Sequence, residues 1–135
     1  MTKKESRELI FNKYGGKCAY CGEELQRGWH VDELKPVRRQ YTEDYCYEKR
    51  KHIRKITRLT HPERMHIDNQ MPACASCNIN KHSDSLEEFR KLIQGFMKHL
   101  NEVNTQYKIA KRYGLIQETV KPVVFYFEKF NPTTP

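Results

Sequence analysis

Apolar residues fall into short stripes along the chain, each bounded by polar or glycine punctuation. The first stripe follows Thr2-Lys3-Lys4-Glu5, a capping-box pattern, and places Leu9, Ile10 and Phe11 ahead of Gly15-Gly16. That pattern predicts a helix over about 3–14. Between Trp29 and Val37 alternation is loose, but the valines and Pro36 predict a short strand or two. Ile53, Ile56 and Leu59 lie three apart in a stretch crowded with cations. Their spacing predicts a basic helix with one apolar stripe, ending before Pro62; a solvated charged insertion is the alternative. Residues 76–95 read as helical with a break near Ser83. A second capping box, Ser85-x-x-Glu88, opens a stripe of Leu86, Phe89, Leu92, Ile93, Phe96, Met97 and Leu100, expected to face the core. Tyr107 to Tyr113 continues helically to Gly114, a favourable residue just past a helix end. Val120 to Phe130 is β-branched and aromatic and predicts an edge or closing strand, and the tail from Asn131 to Pro135 is expected to fray.

The chain has 135 residues, which suits one domain. No run of about 18 apolar residues exists to span a membrane, and no apolar stretch follows the N-terminus as in a secretory signal. The expectation is a cytoplasmic, reducing environment. Hydrophobic residues make up 37% of the chain, so the core has little to draw on. Lysine and arginine number 25 against 17 acids, for a net charge of +8. From Lys49 to His66, seven basic residues face Glu63 alone, so +6 of that charge sits in one window. A charge of this sign fits nucleic acid first and an anionic membrane surface second, or simply a solvated basic face.

Cysteine usage narrows the choice. Cys18 and Cys21 form one C-x-x-C pair, Cys74 and Cys77 another, and Cys46 stands alone among tyrosines and charges as an unliganded thiol. Disulfides are rare in a reducing compartment. Two such pairs supply the four thiolates of a tetrahedral structural zinc site, and Gly22 after Cys21 allows the tight turn of a zinc knuckle. A redox C-x-x-C would call for a βαβ pattern, which is missing. The gap between Cys21 and Cys74 is longer than in an ordinary zinc ribbon, so something is built between the two halves.

Within and after that gap lie Val31-Asp32-Glu33-Leu34-Lys35-Pro36, Asn69-Gln70-Met71-Pro72 and Cys74-x-x-Cys77-Asn78-x-x-Lys81-His82. In this order, around one cysteine frame, the segments resemble the zinc-stapled HNH endonucleases. The resemblance covers about residues 14–95. It implies an α+β fold whose ββα-metal core is stapled by the four cysteines. A basic insertion at about 38–66 and a C-terminal helix and strand extension at about 96–135 complete the single domain. It further implies metal-dependent hydrolysis of DNA phosphodiesters, with structural Zn²⁺ and catalytic Mg²⁺ or Mn²⁺. Asp32 matches the metal-binding Asp, Asn69 the central Asn that orients the general base, and Asn78 the last-motif metal ligand. His82, four residues on, would share a helix face with Asn78 as a further ligand or phosphate contact.

Glu33 stands where the family has its general-base His. An imidazole, with an ordinary pKa near about 6.5, takes a proton from water at neutral pH far better than a carboxyl group near about 4.3. The expectation is therefore an enzyme impaired at its base. His30 is a poor substitute, being three residues away and on the opposite face of a strand. The partner is expected to be double-stranded DNA. Lys49, Arg50, Lys51, Arg54, Lys55 and Arg58 would supply phosphate contacts with low sequence specificity, while His52, His61 and His66 are solvated or phosphate-facing. Two other readings stand beside it: a non-catalytic zinc-stabilised nucleic-acid-binding module, suggested by Glu33, and an RNA-binding zinc protein, weakly permitted by Tyr41, Tyr45 and Tyr47.

Overall fold

A computed structural model describes residues 1–132. Helix α1 (Lys3–Asn12) begins with the expected capping box: Thr2 accepts from the Glu5 backbone and Glu5 reaches back to the Thr2 N–H. A cysteine turn leads to strand β1 (His30–Glu33). Strands β2 (Arg39–Cys46) and β3 (Lys51–Leu59) form a hairpin, and strand β4 (Gln70–Ala73) follows two short 3-10 turns. Helices α2 (Ala75–Lys81), α3 (Leu86–Gln94), α4 (Phe96–Val103), α5 (Thr105–Arg112) and α6 (Tyr126–Lys129) complete the chain. Among the described residues no helix is long and apolar enough to cross a membrane.

The fold is a mixed α+β arrangement with two separate antiparallel sheets, β1 with β4 and β2 with β3. In the first sheet Asp32 stands opposite Met71 and Glu33 opposite Gln70. Helix α2 starts directly after β4, with the Cys74 sulfur accepting from the Cys77 N–H as its N-cap. The core lies where this unit meets α3 and the C-terminal segment. It gathers Cys18, Ala19, Tyr20, Met71, Ala73, Phe89 and Phe125. The Tyr20 ring stands edge-on to Phe89 and Phe125, at 5.6 Å from each, while Phe89 and Phe125 stack at 5.4 Å. Backbone bonds weave three distant segments together. Ala19 N–H donates to Pro72 O at 2.8 Å, Tyr126 N–H to Tyr20 O at 2.9 Å and Phe127 N–H to Ala19 O at 2.8 Å.

Several sequence expectations are corrected. The basic window is a strand of a hairpin, not a helix. Its apolar spacing of three reflects no buried face: Ile56 is 55% exposed. In the hairpin Ile56 stands opposite Tyr41 and Ile53 opposite Asp44, and an irregularity between Gln40 and Tyr41 shifts the register. Residues 120–125 form no strand, and 126–129 form one helical turn. Pro122 lacks a backbone donor. The Arg90 guanidinium takes the Val123 carbonyl at 2.6 Å and pairs with Glu128 at 2.7 Å, which holds this segment against α3. The long stripe after Ser85 breaks at Gly95, and only Phe89 of it is fully buried. Leu92, Phe96 and Met97 remain exposed. Helix α5 ends as read, with Gly114 in the left-handed region at φ +74°. The tail expected to fray lies, from Thr133 onward, outside the described residues.

Phe125 is therefore a core residue rather than part of an accessory extension. Truncating a buried phenylalanine removes its apolar surface from the core and leaves a cavity. Phe125→Ala is expected to lower the unfolding free energy by about 3–5 kcal/mol, measured by denaturant titration at fixed metal loading.

Candidate functional site

The four paired cysteines converge. Their sulfurs all lie within 4.8 Å of one another, and those of Cys21 and Cys74 are 3.8 Å apart. Tetrahedral zinc with bonds of about 2.3 Å would place its sulfurs about 3.8 Å apart. Cys18 is wholly buried and Cys21 exposed, so the cluster bridges core and surface. The turn that makes the first half needs Gly22. Its φ is +78°, and a Cβ there would lie 2.9 Å from the Tyr126 ring. The Cys18 sulfur accepts from the Cys77 thiol and from backbone N–H groups, that of Cys74 at 3.3 Å, which holds its pKa well below the usual thiol value. Cys77, the donor of that bond, is raised in turn. Burial pushes Cys21 up to about 11. Such crowding of four thiols is what a divalent cation resolves, by taking all four as thiolates. These residues are therefore placed to hold one metal ion, and the donor set suits zinc. Cys46 is at the far end of β2 and is not in the cluster.

A cleft of about 330 Å³ opens beside the β1–β4 sheet. Asp32 and Glu33 line it from β1, Asn78 from α2, and His82 and Arg39 from the segments next to them. Asn69 does not line it. Its side-chain oxygen accepts from Lys35 N–H at 2.8 Å, and its amide donates to Lys35 O at 2.9 Å and Arg64 O at 2.8 Å. Asn69 thus clips the turn that follows Glu33. His82 departs from expectation in one respect. It caps α2 with φ +50° instead of continuing the helix, while lining the same cleft as Asn78. Lys49, Arg50, Lys51, Arg54, Lys55 and Arg58 are all exposed on the hairpin, and none lines the cleft.

Three residues that matter here were not singled out from sequence. Lys81 is completely buried, and its ammonium lies 3.0 Å from Asp32 Oδ2 and donates to the Glu33 carbonyl at 3.0 Å. Tyr20 donates its hydroxyl to the same Asp32 oxygen at 2.5 Å. Burial raises the Asp32 pKa, against the opposing pull of Lys81 and Tyr20. Arg39 pairs with Glu33 at 2.6 Å, and this bond raises the guanidinium pKa further. The sequence signal for Lys81 was its place in Cys77-Asn78-x-x-Lys81, four residues after a cysteine on a helix anchored at the cluster. Arg39 and Tyr20 carried none.

Asp32 Oδ1 makes no hydrogen bond among the described residues. Asp32, Asn78 and His82 line the cleft, and between them they offer a carboxylate, an amide oxygen and an imidazole. Mg²⁺ commonly takes one or two carboxylates and completes its shell with water and phosphate oxygens, so the set fits such an ion. Compared with family models, with curated proteins and with solved structures, the chain gives no match.

Two outcomes follow from this geometry. The purified, unchelated protein is expected to carry one equivalent of zinc by elemental analysis, and Cys74→Ser to leave it largely unfolded by circular dichroism, since structural metal contributes directly to folding. Less than half an equivalent would contradict the assignment. Lys81→Ala leaves the buried Asp32 carboxylate without its counter-charge. It is expected to destabilise the fold by about 3–5 kcal/mol, with Asp32→Asn/Lys81→Met recovering most of that in the same denaturant titration.

Proposed function

We propose that the chain is an HNH-type, metal-dependent DNA endonuclease with a weakened general base. One observation carries this reading: Asp32, Glu33, Asn78 and His82, chosen from motifs more than forty positions apart, line a single cleft. The strands β1 and β4 with α2 supply the two strands and the helix that such a site uses, and the cysteine cluster, as a zinc site, fixes the start of that helix. The exposed cations of β3 supply affinity for the phosphate backbone.

Hydrolysis of a phosphodiester needs an activated water, charge neutralisation on the phosphoryl oxygens and support for the leaving oxygen. A divalent cation, Mg²⁺ or Mn²⁺, supplies the last two when bound. Asp32, Asn78 and His82 would hold it. Lys81 and Tyr20 fix the rotamer of Asp32 through its Oδ2. Asn69 fixes the turn after Glu33 through the Lys35 backbone. The weak point is the residue that must take the proton from water. Arg39 occupies a Glu33 oxygen, so the carboxylate spends its charge on an ion pair. This pair also favours the second reading, a zinc-stabilised nucleic-acid-binding module without catalysis, in which Glu33 and Arg39 serve only to brace the hairpin.

Glu33→His separates the two. An imidazole beside the Arg39 guanidinium is favoured in its neutral, proton-accepting form. A general base contributes about 10²–10⁴ in rate, so plasmid nicking with Mg²⁺ or Mn²⁺ is expected to rise at least about a hundredfold over the weak or undetectable level of the native sequence. Adding Asp32→Asn is expected to remove that gain at unchanged zinc content and DNA affinity. If Glu33→His folds, binds zinc and DNA and cuts no better, the non-catalytic module is the correct account.

A further inference from the structure

The β2–β3 hairpin is an arm with no cover. Every residue of β2 from Gln40 to Tyr45 is exposed, and in β3 only Ile53 and Leu59 are half-buried. Residues directly opposite in an antiparallel pair share a face. One face therefore carries Tyr41 with Ile56, Glu43 with Arg54, and Tyr45 with His52. The other carries Thr42 with Lys55, Asp44 with Ile53, and Cys46 with Lys51. In the arm Lys49, Arg50, Lys51, Arg54, Lys55 and Arg58 outnumber Glu43, Asp44 and Glu48 by two to one. An exposed sheet edge of this charge repels a second copy and suits a polyanion.

The shape selects among polyanions. Two strands about 4.8 Å apart make a ribbon that the major groove of B-DNA, about 12 Å wide, admits, whereas the deep, narrow major groove of A-form RNA does not. Single strands are bound mainly by bases stacking on open aromatic faces. Here the Arg54 guanidinium lies over the Tyr41 ring at 4.1 Å, and Tyr45 meets Tyr47 and His52 edgewise at 4.9 and 5.2 Å. Arg54 covers one face of Tyr41, and that ring holds the guanidinium in place. An arginine held in place loses less freedom on binding, and its planar fork matches the O6 and N7 acceptors of guanine.

We propose that this hairpin is a DNA-reading arm that lies in the major groove to one side of the cleft, with Arg54 on the face turned to the base edges. The inference rests on the DNA-binding part of the function proposed above, though not on cleavage. It replaces the expectation of low sequence specificity with a definite preference. Glu43 and Ile56 share the Arg54 face and suit the cytosine amino group and the thymine methyl. Lys51 and Lys55, on the other face, have stems long enough to reach phosphates past the ribbon's edges. The base of the arm is pinned to the cleft. Arg39 pairs with Glu33, Arg38 and Thr60 exchange bonds at 3.0 and 3.1 Å, and Arg64 donates to Pro36 O at 3.0 Å. Where the arm settles in the groove therefore fixes where the cleft meets the backbone. At about 3.3 Å per residue, β3 spans at most about eight base pairs.

The test uses the full, zinc-loaded chain and selection from a random duplex pool, followed by guanine-N7 methylation interference on the selected site. The expected result is an enriched sequence containing guanine, with interference confined to about eight base pairs on one side of the site. Arg54→Ala is expected to lower affinity for the selected duplex about tenfold or more and for unselected duplex no more than about threefold, the size of one lost bidentate base contact. Lys51→Ala/Lys55→Ala is expected to lower both alike and to flatten the salt dependence. Unchanged zinc content and circular dichroism establish that each variant folds. No enriched sequence, equal loss on both duplexes with Arg54→Ala, absence of N7 interference, or equal competition by a single strand each overturns the arm while leaving DNA binding intact. Failure of the chain to bind any DNA overturns the proposed function and the arm together.

Discussion

Two cysteine turns that are 53 positions apart along the chain meet within one cluster, and most of the molecule is arranged by that meeting. A polar chain of this size buries too little apolar surface to order long loops unaided. Closing the loop between Cys21 and Cys74 through a metal adds a constraint that hydrophobic burial does not have to supply. The closure also has a direction. Cys74 is both cluster member and N-cap, so fixing its sulfur fixes where α2 begins and which way it runs. Asn78 and Lys81 lie one turn and two turns along that helix, and their positions relative to β1 are inherited from the cluster.

The same anchoring explains why the core is built around the first cysteine turn. Ala19 and Tyr20 take backbone bonds from Tyr126 and Phe127, and Ala19 donates to Pro72. Two segments far apart in sequence are thus tied to two adjacent residues by three bonds. Lys13 adds a fourth tie, its ammonium bonding the carbonyls of Ile67 and Gln70 at 3.2 and 3.0 Å just where β4 begins. Burial lowers the pKa of this lysine, against the pull of Asp68. Polar ties of this kind, rather than a large apolar interior, set the relation between α1, β4 and the C-terminal segment.

How far the fold was legible in the sequence follows from how local each signal was. The capping boxes at Thr2 and Ser85, the glycine after α5 and the paired cysteines are chemistry between residues a few positions apart, and each stands as read. Asp32, Asn78 and their neighbours were picked out by their order around the cysteines, and the fold brings Asp32, Glu33, Asn78 and His82 to one cleft. The hairpin was not legible, since Ile53, Ile56 and Leu59 imitate a helical stripe only when the partner strand is unknown. With no core against either face of the arm, apolar spacing there carries no information on burial. The segment 120–130 misled for the opposite reason. Phe125 is buried as a strand residue would be, but by insertion of its side chain beside Phe89 and by Arg90 holding the segment, with Pro122 in place of a ladder donor. Arg39 was illegible because its meaning lies wholly in the turn that brings it to Glu33.

The buried pair of Lys81 and Asp32 draws these threads together. Burying an ammonium and a carboxylate is costly, and apolar residues of similar size would often serve stability as well or better. What apolar residues would not do is hold in place the carboxylate of a residue that lines the cleft. Lys81 and Tyr20 both engage Oδ2, from a helix set by the cluster and from the turn between its first two cysteines. Lys81 also bonds the Glu33 carbonyl, so the same ammonium fixes the backbone at the neighbouring site residue. The cysteine cluster, the core tyrosine and the cleft are therefore linked through one aspartate. Asp32 is tied to the cysteine turns by two routes, through Lys81 on α2 and through Tyr20. That redundancy serves the geometry of a site better than it serves the stability of a fold.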